Sequence, residues 1–448
     1  MDYKNKLKNL TKLMEKDSVL ILYAGGRKTR NRDVAYPYRS SSDILYLSGL
    51  SIENMILIHN SDGESFVVMD MPEEKQERWE GKMTSRDDVI ANLGIDAGNI
   101  RDHSEVEKLV KSQLANKNTL YLDFTTVSEF PEVIMKNLQS MQLNNRSVEQ
   151  GPQAIKHIGE IIHEMRVIKN PEELSKIQTA IDITERAYRK SLPFIANRSE
   201  ELMEYQVKAY LESHMFDQGI ESVAYPSIVA SGNNATVLHY TKCNSVVESN
   251  DLILIDAGAE WQGYAADITR TLPSKGKYSK PAKDLYNIVL EAQEKAIALC
   301  KPGSTLQKIH EAALDVIIDG CMHLGLFKKI PDPDDKSKMI KNPKKSEIKE
   351  RKIYNYFYMH YTSHYLGLDV HDVGKYFVKD QNRKLETAMV FTVEPGIYIP
   401  AEYEFAPASY KGIGIRIEDD IALTKDTFIN LSKNIPKTIN EIESLMKL

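Results

Sequence analysis

Four acidic residues stand where apolar strands ordinarily exclude them. In LILIDAGAEWQGYAADITRTL (252–272), Asp256 follows four apolar residues and Asp267 lies eleven positions on. In VFTVEPGIYI, Glu394 follows an apolar run, and in GIGIRIEDD, Glu418 closes an alternating strand beside Arg416. Such strands are usually buried, and a buried charge that loses its partner costs about 3–5 kcal/mol. A turn cap or a nearby base such as Arg270 accounts for one such acid taken singly. Four of them ask for a shared partner, and a divalent cation is one.

The segment HYTSHYLGLDVHDVG (360–374) holds His360, His364 and His371, three of the chain's eleven histidines. One imidazole from it would complete a set otherwise made of oxygen donors. Oxygen-rich donors with one histidine favour Mn, Co or Fe over a thiolate-type zinc site. Four carboxylates can balance two dications, and two ions a few Å apart can share a bridging hydroxide as nucleophile and polarise a carbonyl. The cysteines, Cys243, Cys300 and Cys321, are scattered and form no CxxC pair. They fit a reducing compartment and argue against a disulfide framework or a cysteine-zinc site.

The elements around these residues divide the chain. SVLILYAGG, MILIHN, SFVVMD and NTLYLDF read as short strands alternating with helical stretches, which makes residues 1–160 an α/β domain. Pro171, after Lys169 and Asn170, is placed to open a new helix at its first turn. The junction belongs near there, with a second domain over 165–448. In that domain, helices at 171–218 and 280–300 flank hairpin-like strands, an α+β pattern. GAEWQGYA reads as a hairpin with glycine in the turn. The stretch 328–352 carries ten Lys/Arg, five Asp/Glu and three prolines, and reads as a basic, solvated surface insertion.

Composition narrows the function. With 42% hydrophobic and 27% charged residues the chain is an ordinary globular protein, and a net charge of -6 argues against a general nucleic-acid partner. The N-terminal MDYKNKLKNLTKLMEKDS has no apolar h-region, and no run is long enough to span a bilayer. The expectation is a cytoplasmic protein without a membrane partner.

The ordered set Asp…Asp…His…Glu…Glu, in the words LIDAGAEWQGYAADITRTLP, SHYLGLDVHDVG, FTVEPGIYI and GIRIEDD, resembles the pita-bread metallopeptidases of family M24B, the aminopeptidase P group most closely. HYTKCN (239–244), EMRVIKNPEEL (164–174) and YPYRSSSDILYLSGL (36–50) extend the resemblance to nearly the whole chain, with 328–352 the clearest exception. The resemblance implies an α/β N-terminal domain, a pita-bread catalytic domain, and a homodimer or homotetramer. It also implies two divalent ions, Mn2+ first and Co2+ or Zn2+ as alternatives. The expected substrates are peptides with proline at the second position.

Roles carry over by position. Asp256, Asp267, His364, Glu394 and Glu418 match metal ligands, with Asp267 and Glu418 bridging both ions and Glu394 also serving as general base. His371 matches a histidine that steadies charge on the scissile carbonyl oxygen, and His239 one that lines the substrate site. Arg416 matches an arginine outside the second ion, and His360 a further pocket histidine. Tyr225 and Tyr398 also fit positions near the metals, but strand aromatics are usually core, so they stand outside the catalytic set. The family has glycine after the pocket histidine where this chain has Tyr361, which predicts an altered backbone or pocket wall there.

Prolidase, restricted to X-Pro dipeptides, shares the fold and ligands and is the alternative activity. Methionine aminopeptidase fits less well because of the added N-terminal domain. Creatinase-like relatives lack this ligand set. A pita-bread scaffold that only binds proteins is the reading from another class.

Overall fold

The computed structural model describes residues 2–125, 132–143, 148–198 and 201–447. The chain divides into two compact units, Met1–Arg166 and Val167–Leu448. In the first, six strands form one mixed sheet in the order Ile100–Arg101, Ser65–Val68, Ile56–Asn60, Ser18–Tyr23, Thr119–Leu122 and Ala154–His157. The Ser18–Tyr23 strand runs antiparallel to Ile56–Asn60 and parallel to Thr119–Leu122. Val19, Ile21, Ile58 and Leu120 project to a face that buries Val110 and Leu114 of one helix and Leu138 of another. Leu20, Leu22 and Leu57 on the opposite face are buried as well, so the sheet is covered on both faces and its central strands read as continuous apolar runs.

The second unit opens with the helix Pro171–Ala196. Asn170 caps it, accepting from the Glu173 N–H while the Glu173 carboxylate accepts from the Asn170 N–H, and Pro171 takes the first turn. The helical stretch read over 171–218 is two helices, the second spanning Glu204–Phe216. Residues 199–200 between them lie outside the described residues. Beside them, the strand Leu252–Ala257 lies between Ile228–Ser231 and Ile268–Pro273, antiparallel to both. Ala259–Trp261 and Tyr264–Ala265 form a tight hairpin whose two turn residues, Gln262 and Gly263, both have positive φ. Type I′ turns need that geometry. A Cβ on Gly258 would sit 1.7 Å from the Ala266 carbonyl oxygen, so the glycine is what lets the Asp256 and Asp267 segments approach.

The other two acids lie in a broken ladder. Val390–Val393 pairs with Asp419–Leu423 as far as Val393 opposite Asp419, and pairing resumes with Gly396 opposite Arg416. Residues 394–395 and 417–418 are left between the two ladders. Pro395 has no N–H to give. The Glu394 N–H instead donates to the Thr362 carbonyl (2.8 Å) and the Glu418 N–H to that of Thr269 (3.1 Å). Gln293, buried on the helix Lys280–Ile297, donates from one amide to the Val393 and Ile417 carbonyls, each at 3.2 Å. Its side chain splints the gap. Replacing Gln293 with leucine leaves both buried carbonyls without that donor, and the expected loss is about 3 kcal/mol of unfolding free energy in urea titration.

The 328–352 stretch is ordered. It forms a small antiparallel pair, Lys329–Pro331 with Met339–Lys341, then the helix Lys345–Glu350. Arg351 pairs with Asp332 and Asp334, and Lys345 and Lys349 with Asp315 of the helix Leu306–His323. No helix among the described residues is long and apolar enough to cross a membrane, and all three cysteines are buried and free.

Candidate metal centre

A cavity of about 980 Å³ opens in the second unit. Asp256, Asp267, His364, Glu394, Glu418, His239, His360, His371 and Arg416 all line it. Asp256 comes from the middle strand of the three, in register with Thr269, and Asp267 from the segment just before the next strand. Glu394 and Glu418 enter from the broken ladder. His364 lies on a segment held along the edge of Val390–Val393, where the Thr392 N–H donates to the His364 carbonyl at 2.9 Å.

Ligand atoms of Asp267, His364 and Glu418 lie within 4.8 Å of one another. His364 Nε2 is 3.4 Å from Asp267 Oδ2 and 3.4 Å from Glu394 Oε1. His364 Nδ1 is 3.1 Å from the Tyr365 carbonyl, and donating there leaves Nε2 to face the carboxylates. Asp256 is held differently. Arg416 donates to Oδ2, while the Tyr225 hydroxyl lies 2.6 Å from Oδ1 and 2.6 Å from Asp267 Oδ1. A hydroxyl has one proton, so it cannot donate to both carboxylates at once.

The electrostatics carry the same message. Burial raises the Glu418 carboxyl well above the carboxylate range, and Asp267, Glu394 and Asp256 add to the rise. Burial pushes Glu394 up to about 7 despite the opposing charges of His364 and Arg416. Burial also raises Asp256, against the pull of Arg416. For His364, burial works to lower the pKa but is outweighed by the Asp267 hydrogen bond and the Glu394 charge, which lift it to about 9. Four carboxylates around one guanidinium, with their oxygens converging, form a donor set that divalent cations fit.

Around this set, Thr269 donates to Glu418 Oε2 (2.7 Å) and accepts from Arg416 Nε (3.1 Å). Arg416 Nη1 donates to the Tyr398 hydroxyl oxygen at 3.0 Å, and His360 Nε2 lies 2.8 Å from the same oxygen. Burial and the Arg416 charge push His360 down to about 3, so it is neutral and reports to Tyr398. The His371 ring meets the His364 ring edge-on, centroids 4.3 Å apart. His239 sits exposed on the loop after Ser231. Asp372, next to His371, makes a buried ion pair with Lys169 at 2.8 Å.

Tyr361 does not force an unusual backbone, since its φ lies outside the left-handed region. The change falls on the pocket wall instead: the side chain is 71% exposed at the cavity, its ring 5.2 Å from that of His310. Sequence reasoning set aside Tyr225 and Tyr398 and did not single out Thr269. A hydroxyl residue on an apolar strand looks like core, and only its proximity to the acids could have marked it.

Two family models match the chain: metallopeptidase family M24 over residues 175–425 and the N-terminal domain of aminopeptidase P over residues 3–121. The Xaa-Pro aminopeptidase of Escherichia coli (strain K12) is 32% identical, over 99% of this chain and 97% of that protein. The structure of the Pseudomonas aeruginosa aminopeptidase PepP superposes with a TM-score of 0.91 at 32% identity, covering 99% of this chain and 97% of that one. Zn-substituted E. coli aminopeptidase P in complex with product superposes with a TM-score of 0.90 at 31% identity, over 100% and 98% of the two chains. The architecture is therefore an aminopeptidase P-type α/β domain followed by the α+β pita-bread fold. The chain belongs to metallopeptidase family M24 and is a metal-dependent peptidase.

Proposed function

We propose that this peptidase removes the residue before proline from the N-terminus of peptides, using two divalent cations, Mn2+ first among them. The observation that carries the reading is the convergence of Asp267, His364 and Glu418 in one cavity, with Glu394 on the same imidazole. When bound, the cations supply Lewis acidity that polarises the scissile carbonyl and lowers the pKa of water. The chain's own residues do the rest. Asp256, Asp267, His364, Glu394 and Glu418 would hold the ions, with Asp267 and Glu418 contributing to both. Glu394 accepts the proton of the attacking water. His371 donates to the carbonyl oxygen as charge develops there. His239 and His360 line the substrate side, and Arg416 fixes Asp256 and Tyr398. An X-Pro bond is a tertiary amide without an N–H, so a site that grips the carbonyl through cations loses nothing.

Prolidase is not favoured, because the full-length likeness is to Xaa-Pro aminopeptidases. The intact set of four acids and His364 speaks against a scaffold that only binds proteins. The test is metal-stripped protein restored with Mn, Co or Zn and offered an X-Pro-Y peptide, an X-Pro dipeptide and a Met-Ala peptide. Cleavage of the X-Pro-Y peptide, fastest with Mn, is the expected result. Cleavage of the dipeptide alone would make it a prolidase, and of Met-Ala alone would overturn proline specificity. Cysteine usage supports a cytoplasmic setting, and the family resemblance supports a homodimer or homotetramer, which native mass against 51.0 kDa per chain decides.

A further inference from the structure

The ring of His239 has no hydrogen-bond partner among the described residues, and the residue is exposed. Its position therefore depends on the loop that carries it. That loop leaves the strand Ile228–Ser231 and runs to Ser245, with few buried side chains of its own. Its front half has contacts of its own: Ala235 packs on the bare backbone of Gly414, where a Cβ would meet the Ala235 carbonyl oxygen at 2.0 Å, and Asn233 Oδ1 accepts from the Ala401 N–H at 2.8 Å. One further anchor joins that front half to the half that bears His239.

That anchor is Glu204, the first residue of the helix Glu204–Phe216, fully buried and outside the metal-site cavity. Its Oε1 accepts from the Ser231 N–H (2.7 Å), the Ser231 hydroxyl (2.9 Å) and the Asn234 amide (3.0 Å). Its Oε2 accepts from the Tyr240 hydroxyl (2.8 Å) and the Ser245 N–H (3.0 Å). Five donors meet one carboxylate, and they come from the start, middle and end of the same loop. The Glu204 N–H in turn donates to the Ser245 carbonyl at 3.0 Å. A buried carboxylate is tolerable only when its oxygens are satisfied, and here the loop satisfies them. Charge-assisted bonds of this kind are about twice as strong as neutral ones. The loop thus folds around the acid, and Tyr240, one of the five donors, is the immediate neighbour of His239.

We propose that Glu204 is a positioning residue for catalysis: it holds the Ser231–Ser245 loop closed so that His239 faces the substrate. This rests on the reading of His239 as a substrate-contacting residue. Glutamine in place of Glu204 keeps the shape but removes the charge and turns an amide donor toward groups that are themselves donors.

The test is a double-mutant cycle on the metal-loaded, full-length enzyme with an X-Pro-Y peptide. Glu204→Gln is expected to lower kcat/KM about tenfold alone. It is expected to change kcat/KM less than about twofold in a His239→Ala background, because its effect runs through that ring. Amide hydrogen exchange over residues 237–245 is expected to quicken while metal content stays unchanged. Equal losses in both backgrounds would overturn the inference and leave Glu204 a purely structural residue. If His239→Ala alone leaves activity intact, the reading of His239 fails and the inference falls with it. Should Glu204→Gln fail to fold, Tyr240→Phe removes one of the five bonds and is judged in the same cycle. A loss of about twofold or more that vanishes without His239 supports the proposal, and a loss unchanged without His239 sinks it.

Discussion

Glu394→Gln is expected to reduce kcat by about 10³-fold on X-Pro-Y peptides. The amide is isosteric and can still offer its oxygen, but it cannot take a proton at the pH of assay. The structure places this carboxyl 3.4 Å from His364 Nε2 and 3.7 Å from His360 Nδ1, with burial raising its pKa to about 7. Metal content of the variant separates the two roles assigned to Glu394. A rate within tenfold of the parent at full metal loading would remove the base assignment. A variant that cannot be loaded would show that its ligand role dominates.

Removing metal should destabilise the protein increasingly as pH rises. The Glu394 carboxyl goes from 4.5 in the unfolded chain to about 7 in the metal-free fold, so between those values the native state holds a proton the unfolded state has released. Above pH 7 that costs the native state about 3 kcal/mol. The buried Glu418, also raised, acts in the same direction. His364, lifted from 6.5 to about 9, contributes stability that is full below pH 6.5 and is lost as pH climbs through 9. His360 and His59, pushed down to about 3 and about 4, add stability as pH rises through 6.5 and offset this loss below pH 7, so the thermal midpoint of chelator-treated protein is expected to fall from pH 7 to pH 9. Added Mn2+ should raise the midpoint more at pH 8 than at pH 6, since cations replace the protons that the carboxylates otherwise need. A metal-free midpoint that climbs over this range would contradict the packing of four carboxylates around Arg416.

Charge in the wrong place is what made the site legible. Asp256, Asp267, Glu394 and Glu418 stood out because apolar strands do not ordinarily carry acids, and all four line one cavity. The helix start at Pro171 and the Gln262–Gly263 turn were readable because each depends on local backbone chemistry. Choosing among three histidines was beyond spacing alone and came from the family resemblance. Tyr225 and Tyr398 were set aside because aromatic residues in apolar stretches are usually core, and Thr269 escaped notice because a hydroxyl on a strand has no sequence signature until its partner is known. Glu204 escaped because an acid at a helix start is ordinary, and nothing local tells that five donors will meet it. The break in the ladder at Glu394 and Glu418 was equally silent, since the strands on either side keep their apolar pattern. The 328–352 stretch shows the same limit: its excess of bases hid that Asp332, Asp334 and Asp315 pair with several of them.

The broken ladder also bears on when the site comes into being during synthesis. Glu394 is tied by its N–H to the His364 segment and Glu418 to the strand that follows Asp267, so each acid takes its place only with a partner distant in sequence. The Asp256 and Asp267 hairpin can form early on the ribosome, but it offers a cation two carboxylates and nothing more. Nothing resembling the finished donor set exists until residues past Glu418 have emerged and the Gln293 helix has closed the gap. High-affinity metal capture is thus expected to follow the pairing of these distant segments rather than to precede it.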